Sequence, residues 1–393
     1  MDGADWKVIL PLIHKEELPN FKQLMEESSH GNLMTIKNAN SAVIWSSVYT
    51  GKKPQSHGIN DFYTIQPMGF SSPGIYPVHR TFFPEIAGLL EKIPLATRNT
   101  VNRSFLNSVP LWEILKEANL SIGILNASFI SYPAPELSGT DDFFVSHGLE
   151  TYVGKYTDHL NALEDQLERF IQPTEFFSRL KPFFSPNKIS DRASIFLNFL
   201  EEDEQKDFMN VYFDEPDHVQ HKFWKWYQPE YFFFPKKRNI EAFKDKIPDV
   251  YRYYDEWLGE IRKQLEPETV LIIASDHGHT PCILNKNAYT AHRHGPPGIL
   301  IINGSPIKRA HAFQSAHILD IFPTILYLIG LPVPEDSDGR VLEDAIDEEF
   351  LHDNPPRYIP SYDFLFSKSL SNREKGLLDK EELERLKSLG YIK

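Results

Sequence analysis

The sequence has one cysteine, no long uninterrupted apolar run and fewer basic than acidic side chains. The single Cys282 excludes an intrachain disulfide, a cysteine-based zinc site and paired-thiol redox chemistry, so any metal ion must be held by histidine and carboxylate. Apolar runs such as 270–274 and 318–329 are interrupted or too short for the roughly 20 residues that cross a bilayer. The formal net charge of −14 argues against nucleic-acid binding through a basic face.

The 393 residues otherwise have the composition of a globular protein, with 41% hydrophobic and 24% charged residues. Short apolar runs of strand type at 120–125, 208–213, 270–274 and 298–302 alternate with helical patterns at 111–118, 191–200 and 251–265. This alternation predicts an α/β fold, in which a doubly wound, mostly parallel sheet is flanked by helices. Functional residues are then expected at the carboxyl ends of the strands.

Three stretches interrupt the alternation and are interpreted as cap insertions, near residues 62–108, 151–187 and 223–250. The last of them opens with an aromatic block at 223–237. The catalytic domain is expected to occupy residues 1–345. The tail, 346–393, is expected to carry one short helix, because Asp379-Lys380-Glu381-Glu382 matches a capping box and Gly390 is a stop signal.

Two pairs of aspartate and histidine follow predicted strands. Asp217 and His221 come after the strand at 208–213, and their spacing of four residues places both on one side of a first helical turn, where they could share a metal. Asp276 and His277 follow the strand at 270–274. Alone, the first pair is equally well explained by a solvated polar turn, and the second is more often a capping aspartate with a surface histidine. Together, they indicate a two-metal site, and oxygen and imidazole ligands suit Zn²⁺ or Mn²⁺.

A third candidate is Ser41, which stands where a helix could begin, while Gly51 stands where it could stop. A serine in this place is most often an N-cap that accepts hydrogen bonds from the first backbone amides. The alternative is a nucleophile, because phosphoryl transfer through a metal-activated hydroxyl requires such a group within reach of the ions.

Taken in order along the chain, these residues resemble the alkaline phosphatase superfamily, in particular its type I phosphodiesterase/nucleotide pyrophosphatase branch and related phosphohydrolases and phosphomutases. The segments that carry the resemblance are Asp2-Gly3, Ser41, Thr50-Gly51, His57-Gly58-Ile59, Asp217, His221, Ser275-Asp276-His277-Gly278, His294, and the stretches 320–326 and 330–334. The resemblance covers nearly the whole chain to about residue 345.

The resemblance implies a site with two divalent ions, Zn²⁺ first and Mn²⁺ as the alternative. The ligands of one ion would be Asp2, Ser41, Asp276 and His277, and those of the other Asp217, His221 and His294. Ser41 would also be the nucleophile. His294 is preferred to His292 because it lies four residues before the glycine that opens the next strand. Asn60 lies near the place of a phosphate-binding asparagine.

The sulfatases share this fold, but their modified residue lies in a Cys/Ser-x-Pro-x-Arg motif. In this chain Val43 and Trp45 occupy the proline and arginine positions, so an unmodified serine is expected.

The chain departs from the family at its start, because members begin with an apolar strand that delivers the first metal-binding aspartate. Here Asp2 follows directly on Met1. We therefore expect that strand to lie upstream in the true gene product, or the chain to be a fragment. No signal peptide is visible in the first residues; the localisation is left open, with the cytoplasm as the default.

The expected function is that of a metal-dependent phosphoesterase acting on a small phosphate ester through a phospho-serine, with phosphodiesters such as a nucleotide or a lipid or glycosyl phosphodiester preferred. The alternatives are a phosphomonoesterase, phosphomutase or phosphotransferase of the same superfamily, or a relative that has lost turnover. The aromatic block could stack a nucleobase or hold a lipid or sugar, although a packed cap is the commoner explanation.

Overall fold

Strands and helices alternate along the part of the computed structural model that is described, which is residues 1–67, 96–127, 130, 142–145, 152–154, 193, 196–197, 200, 206–282, 290–291 and 296–365. The helices are α1 (Trp6–His14), α2 (Pro19–Glu26), α3 (Ser41–Thr50), α4 (Pro54–His57), α5 (Leu111–Glu117), α6 (Glu215–Tyr227), α7 (Lys237–Phe243), α8 (Lys246–Gln264), α9 (Ile321–Leu328) and α10 (Glu348–Asp353). The strands are β1 (Ser29–Met34), β2 (Tyr63–Pro67), β3 (Ala96–Thr100), β4 (Ile122–Leu125), β5 (Phe143–Val145), β6 (Tyr152–Gly154), β7 (Phe208–Val211), β8 (Leu271–Ala274), β9 (Thr280–Pro281), β10 (Thr290–Ala291), β11 (Gly298–Asn303), β12 (His311–Ala312), β13 (Ala316–His317), β14 (Val333–Pro334) and β15 (Tyr358–Ile359).

The predicted elements are present with shifted ends. All four predicted strands occur, as β4, β7, β8 and β11, and α5 matches the predicted helix at 111–118. Helix α8 begins five residues before the predicted start at 251, because Pro248 lies in its first turn, where proline is tolerated. The described members of 191–200 are helical.

Two sheets form the centre of the fold. One has the order β12–β1–β11–β8, with β13 also pairing with β1, and the other has the order β6–β5–β4–β7. Parallel pairs join β4 to β5 and to β7, and β1 to β12 and β13. Antiparallel pairs join β11 to β1 and to β8, and β5 to β6.

The α/β class is confirmed, and the arrangement is mixed where the sequence predicts a mostly parallel sheet. The difference comes from β11, which runs opposite to both of its neighbours, and from β6, which runs opposite to β5. The strand β11 is the central one of these two. Its apolar run shows that it is central and covered on both faces, but such a run carries no information about strand direction.

Strand β11 divides the core in two because its side chains alternate between the faces of the sheet. Leu300 and Ile302 pack in a cluster with apolar residues of α3, α5 and α9. Ile299 and Ile301 pack in a second cluster with residues of α1, α2, α6 and α8. Helices therefore cover both faces of the sheet, as the prediction requires.

The first residues of the chain lie between the two sheets. The backbone amide of Asp2 donates to Phe213 O over 2.7 Å, just beyond the end of β7. The Met1 amino group donates to Ala274 O over 2.8 Å, at the end of β8. The carboxyl ends of β7 and β8 consequently meet at the same edge, which is where the sequence analysis expects functional residues.

Parts of the expected insertions are visible. Strands β2 and β3 form an antiparallel pair within 62–108. The aromatic block begins inside α6, where Trp224 is fully buried and Trp226 is 9% exposed, so its first part is packed, as the commoner explanation requires. The predicted helix after Asp379 lies outside the described residues. No helix among the described residues is long and apolar enough to cross a membrane.

Candidate metal centre

Helix α6 carries the first pair of site residues. The helix starts soon after β7 with Pro216 in its first turn, so Asp217 and His221 project from the same side at the spacing of one turn. Asp217 Oδ1 lies 3.3 Å from His221 Nε2, and both residues are buried. The two side chains therefore lie next to each other, as their spacing of four residues predicts, and their sharing of a metal stays a prediction.

The second pair lies on the turn after β8, which packs closely against the start of β11. The amide of Ser275 donates to Ile299 O over 2.8 Å. A Cβ atom at Gly298 would lie 2.0 Å from Ser275 O, so only glycine permits this approach. Ser275 Oγ donates to His277 O over 2.9 Å, which closes the turn and leaves Asp276 and His277 fully buried.

Asp2 joins the second pair. His277 Nε2 lies 3.4 Å from Asp2 Oδ1 and 3.4 Å from Asp276 Oδ2. The Tyr212 hydroxyl donates to Asp2 Oδ2. The Gly3 amide donates to Asp276 Oδ1 over 3.1 Å, so the first three residues are tied to the turn after β8.

Gly3 permits the close passage of the chain past α6. Its φ is +66°, and a Cβ atom there would lie 2.9 Å from Asp217 Cα. Gln220 on α6 donates through Nε2 to Gly3 O over 2.6 Å. This contact places Asp2 beside the residues of α6, more than two hundred positions later in the chain.

Ser41 is the first residue of α3 and is 2% exposed. The N-cap is Asn40, whose Oδ1 accepts from the Val43 amide over 3.2 Å and whose Nδ2 donates to Asp61 Oδ1 over 2.7 Å. The capping interpretation of Ser41 is therefore wrong, because its neighbour performs that role. Ser41 Oγ instead lies 3.4 Å from Asp2 Oδ1.

His279 is a site residue that the sequence analysis missed. Its Nε2 lies 3.2 Å from Asp217 Oδ1, and its Nδ1 lies 2.9 Å from Thr290 Oγ1. The same hydroxyl lies 2.9 Å from His221 Nδ1, so Thr290 links the two imidazoles. The signal was present, because His279 follows His277 by two residues.

His279 is held in place by a hydrogen bond of its backbone and by a ring contact of its side chain. Its amide donates to Asp5 Oδ2 over 2.9 Å, and Asp5 also caps α1 through the Lys7 amide. The ring of the buried Trp224 lies 5.7 Å from the ring of His279, centroid to centroid. The aromatic block thus contributes a wall of the site from within the core.

Three buried carboxylates make this region unfavourable for further negative charge. Burial and the neighbouring Asp276 raise the pKa of Asp2 well above its usual value, and burial raises the pKa of Asp276 to about 6. For Asp217, burial acts to raise the pKa, but the imidazoles of His221 and His279 hold it well below the usual value. Burial lowers the pKa of His221 to about 4, so its ring is neutral at pH 7.

Such a set of donors fits divalent cations. Two groups of ligand atoms each lie within 4.8 Å of one another, Asp2 with Asp276 and His277, and Asp217 with His277 and His279. His277 belongs to both groups, so they adjoin. Carboxylate oxygens and neutral imidazoles are ligands for Zn²⁺ and Mn²⁺, and a cation would offset the buried negative charge.

The remaining candidates are Asn60, His292 and His294. Asn60 is exposed and its Nδ2 donates to Gly58 O over 3.1 Å within its own loop. His292 and His294 lie outside the described residues.

Comparison with known proteins agrees with the resemblance. The model of the type I phosphodiesterase/nucleotide pyrophosphatase family matches residues 1–316. In structure, the chain is similar to murine ectonucleotide pyrophosphatase/phosphodiesterase 5, with a TM-score of 0.53 and 12% identity over 88% of this chain and 98% of that one. The human protein of the same name gives a TM-score of 0.52 with the same identity and coverage.

Curated relatives match over shorter segments. The 2,3-bisphosphoglycerate-independent phosphoglycerate mutase of Cereibacter sphaeroides is 36% identical over 78 residues, 19% of this chain and 15% of the mutase. That of Clostridium beijerinckii is 30% identical over 168 residues, 42% of this chain and 28% of the mutase. The chain therefore spans less than a third of the length of these mutases. Since the family model covers most of the chain, the protein belongs to the type I phosphodiesterase/nucleotide pyrophosphatase family.

Proposed function

We propose that the protein is a divalent-metal-dependent phosphoesterase that hydrolyses phosphodiesters through a phospho-serine at Ser41. The observation that carries this proposal is the position of Ser41, a buried hydroxyl at the start of α3 that is released from capping and lies 3.4 Å from Asp2 Oδ1. Membership of the phosphodiesterase family supports the preference for diesters.

Asp2, Asp276 and His277 would hold one ion with Ser41, and Asp217 and His221 the other with His294. His279 is close enough to Asp217 to act as a ligand or to orient that carboxylate. When bound, the two ions would lower the pKa of a coordinated hydroxyl and neutralise the nonbridging phosphoryl oxygens. Zn²⁺ is the first choice, because two or more imidazoles join the carboxylates, and Mn²⁺ is the alternative.

The chain's own groups account for the two half-reactions. Asp2 Oδ1 orients the Ser41 hydroxyl. Ser41 Oγ loses its proton and forms a bond to phosphorus, while the bond from phosphorus to the opposite ester oxygen breaks in line and that oxygen takes up a proton, which leaves the net proton count unchanged. Ser41 lies at the start of α3, where the positive end of the helix dipole favours the negative phosphoryl group. Water then cleaves the phospho-serine, which restores the Ser41 hydroxyl and releases the phosphomonoester.

The test compares hydrolysis of bis-p-nitrophenyl phosphate and p-nitrophenyl phosphate by protein loaded with Zn²⁺ or Mn²⁺. We expect a metal-dependent diester rate that falls by at least about 10³-fold in Ser41→Ala. Ser46→Ala is the matched control, since Ser46 lies in the same helix and its hydroxyl donates to Ala42 O. A dominant monoester rate would identify a phosphatase, and no turnover on either substrate would favour a relative that has lost activity.

The matches to phosphoglycerate mutases support a second candidate, a phosphomutase. The same core would then pass the phosphoryl group from Ser41 to a substrate hydroxyl instead of water. Quenching the reaction and locating the phosphoryl group by mass spectrometry separates the two. A phosphodiesterase releases the group on Ser41 to water as a phosphomonoester, whereas a mutase transfers the phosphoryl group of Ser41 to a hydroxyl of the substrate.

A further inference from the structure

The second part of the aromatic block forms an exposed tip beyond the end of α6. A short 3₁₀ turn ends at the exposed Tyr231, and the chain continues with Phe233, which is 74% exposed, and Phe234, which is 94% exposed. Phe232 between them is buried. Residues 231–234 are called the aromatic tip below. Large apolar side chains grouped on the surface in this way are typical of an interaction site.

The chain is anchored to the core on both sides of the tip. Phe232 belongs to the core cluster of α1, α2, α6 and α8, and its amide donates to Pro229 O over 3.0 Å. After the tip, α7 packs on α6 through Phe243, whose ring lies 5.7 Å from that of Phe223 and 6.2 Å from that of Trp226, centroid to centroid. The exposed rings are therefore presented from a base that is packed on the core.

Phe234 has a backbone conformation that bulky residues seldom adopt. Its φ is +50°, in the left-handed region, where the Cβ atom crowds the following carbonyl oxygen. Because the side chain is almost fully exposed, burial within the chain does little to offset this strain. A strained residue of this kind indicates a role outside the packing of the core.

Basic side chains follow the tip directly. Lys236, Lys237 and Arg238 are all exposed and are called the basic flank below. No acidic residue lies between Glu230 and Glu241, although the chain as a whole has a formal charge of −14. The surface beside the exposed rings therefore carries positive charge on a protein that is otherwise acidic.

We propose that the aromatic tip and the basic flank dock the protein on an anionic lipid surface. Phe233 and Phe234 enter the interfacial layer, and the basic flank contacts the lipid headgroups. Binding of this kind combines the burial of apolar area with attraction to anionic lipids, and both components are present here within six consecutive positions, 233–238. The proposal concerns docking and does not rest on the catalytic assignment.

A second copy of the chain fits this surface less well than a membrane does. In a twofold contact the same surface meets itself, which would bring the basic flanks of two copies together. An anionic lipid layer presents the opposite charge instead. At about 0.1 M salt, charges more than about 10 Å from the lipid are largely screened, so the flank rather than the net charge of the chain determines the attraction.

Sedimentation of the full chain with lipid vesicles tests the tip. We expect binding to vesicles of phosphatidylcholine mixed with phosphatidylserine to be at least about 10-fold tighter than binding to phosphatidylcholine alone, and to weaken at high salt. The double variant Phe233→Ser/Phe234→Ser should lose at least about 10-fold of this binding. Tyr358→Ser/Phe364→Ser is the matched control, because both of these aromatic residues are exposed elsewhere, and it should keep the binding. Equal binding by the two double variants would overturn the proposal.

Charge reversal tests the basic flank. We expect Lys236→Glu/Lys237→Glu to weaken binding to the anionic vesicles by at least about 10-fold. Lys263→Glu/Arg309→Glu reverses the same number of exposed charges on other parts of the surface and should change the binding far less. An equal loss in both double variants would mean that only the net charge matters and would contradict a docking role of the flank.

A tryptophan at the tip tests its entry into the lipid. With anionic vesicles, we expect the emission of Phe234→Trp, relative to the wild type, to shift to shorter wavelength and to be quenched by lipids brominated in their acyl chains. Phe364→Trp is the control and should show neither change. Unchanged emission from Phe234→Trp would show that the tip stays in water. A wild-type dimer in gel filtration that Phe233→Ser/Phe234→Ser converts to a monomer would assign the surface to a second copy and overturn the proposal.

Discussion

At the residue scale, three histidine rings of the site lie around one carboxylate oxygen, Asp217 Oδ1. Asp217 Oδ1 lies 3.3 Å from His221 Nε2, 3.2 Å from His279 Nε2 and 3.9 Å from His277 Nε2. These imidazoles come from α6 and from the turn after β8, so Asp217 connects two separate elements. Its carboxylate is favoured in the ionised form by the same neighbours that would share a cation with it.

Replacing Asp217 by asparagine keeps the volume and removes the negative charge. We expect Asp217→Asn to lose at least one bound ion per chain and to lower the diester rate by at least about 10²-fold, because the remaining donors lose their central anion. Metal content is measured by elemental mass spectrometry after gel filtration. Asp320→Asn, a buried carboxylate that accepts from the Arg340 amide, should keep both ions. Unchanged metal content in Asp217→Asn would contradict the assignment.

His57 gives a pH prediction outside the metal centre. The ring is fully buried, with Nδ1 accepting from the Ile59 amide over 3.1 Å and Nε2 2.9 Å from Ser47 Oγ. Burial lowers its pKa to about 4, so between pH 6.5 and pH 4 the unfolded chain binds the proton more tightly than the native protein does. The stability contributed by the neutral ring is therefore present above pH 6.5 and is lost as the pH falls.

The contribution of the neutral His57 ring to the unfolding free energy is measured by urea unfolding of the wild type and of His57→Gln at several pH values. Between pH 7 and pH 5 we expect the wild type to lose about 2 kcal/mol more unfolding free energy than the variant, which has no titrating ring. Parallel pH profiles for the two proteins would refute this account of His57.

At the element scale, two different residues set the start and the end of helix α3, and its first residue, Ser41, is the proposed nucleophile. Asn40 caps the start and Gly51, with φ +65°, ends it. All ten residues are buried, so packing holds the helix rigidly against α9. The cap and the nucleophile are adjacent residues with different roles.

Removing the cap should therefore affect both stability and rate. We expect Asn40→Ala to lower the unfolding free energy by about 1 kcal/mol and to lower kcat, because the first turn that orients Ser41 frays. Asp347→Ala is the control, since Asp347 caps the remote α10 through the Glu349 and Phe350 amides. It should lower stability by a similar amount and leave kcat unchanged. An equal fall in kcat in both variants would contradict a specific role of the Asn40 cap in orienting Ser41.

At the scale of the whole molecule, the site joins the two layers of the core. Ser41 comes from the helices on one face of β11, and Asp217 comes from those on the other. Asp2 enters between the sheets, and Asp276 follows β8 at their common edge. Ions held by all of these residues would tie both layers together, so metal binding is expected to stabilise the entire fold.

Metal removal tests this coupling. At an ion concentration about 100 times Kd, binding to the native state alone contributes about 2.7 kcal/mol. We expect chelator treatment to lower Tm and Zn²⁺ to restore it, with a smaller restoration in Asp276→Asn. The measurement is differential scanning calorimetry of the same sample before and after treatment. A Tm independent of chelator and metal would exclude binding at the centre.

Sequence spacing by itself determined the local parts of the site. Asp217 and His221 share a helical turn because four residues span about one turn, and the ends of α3 follow from residues within its own first and last turns. The carboxyl ends of β7 and β8 were also predictable as sites, because apolar runs end there. The family resemblance supplied Asp2, which no local pattern distinguishes.

Only the tertiary structure decided the rest. The direction of β11 depends on its partners, since an apolar run is compatible with either direction. The approach of His279 to Asp217 depends on the turn after β8 and on Thr290, and that of Asp2 depends on Gly3 passing α6. These contacts join residues far apart in the chain, and their geometry is set by packing rather than by any spacing along the sequence.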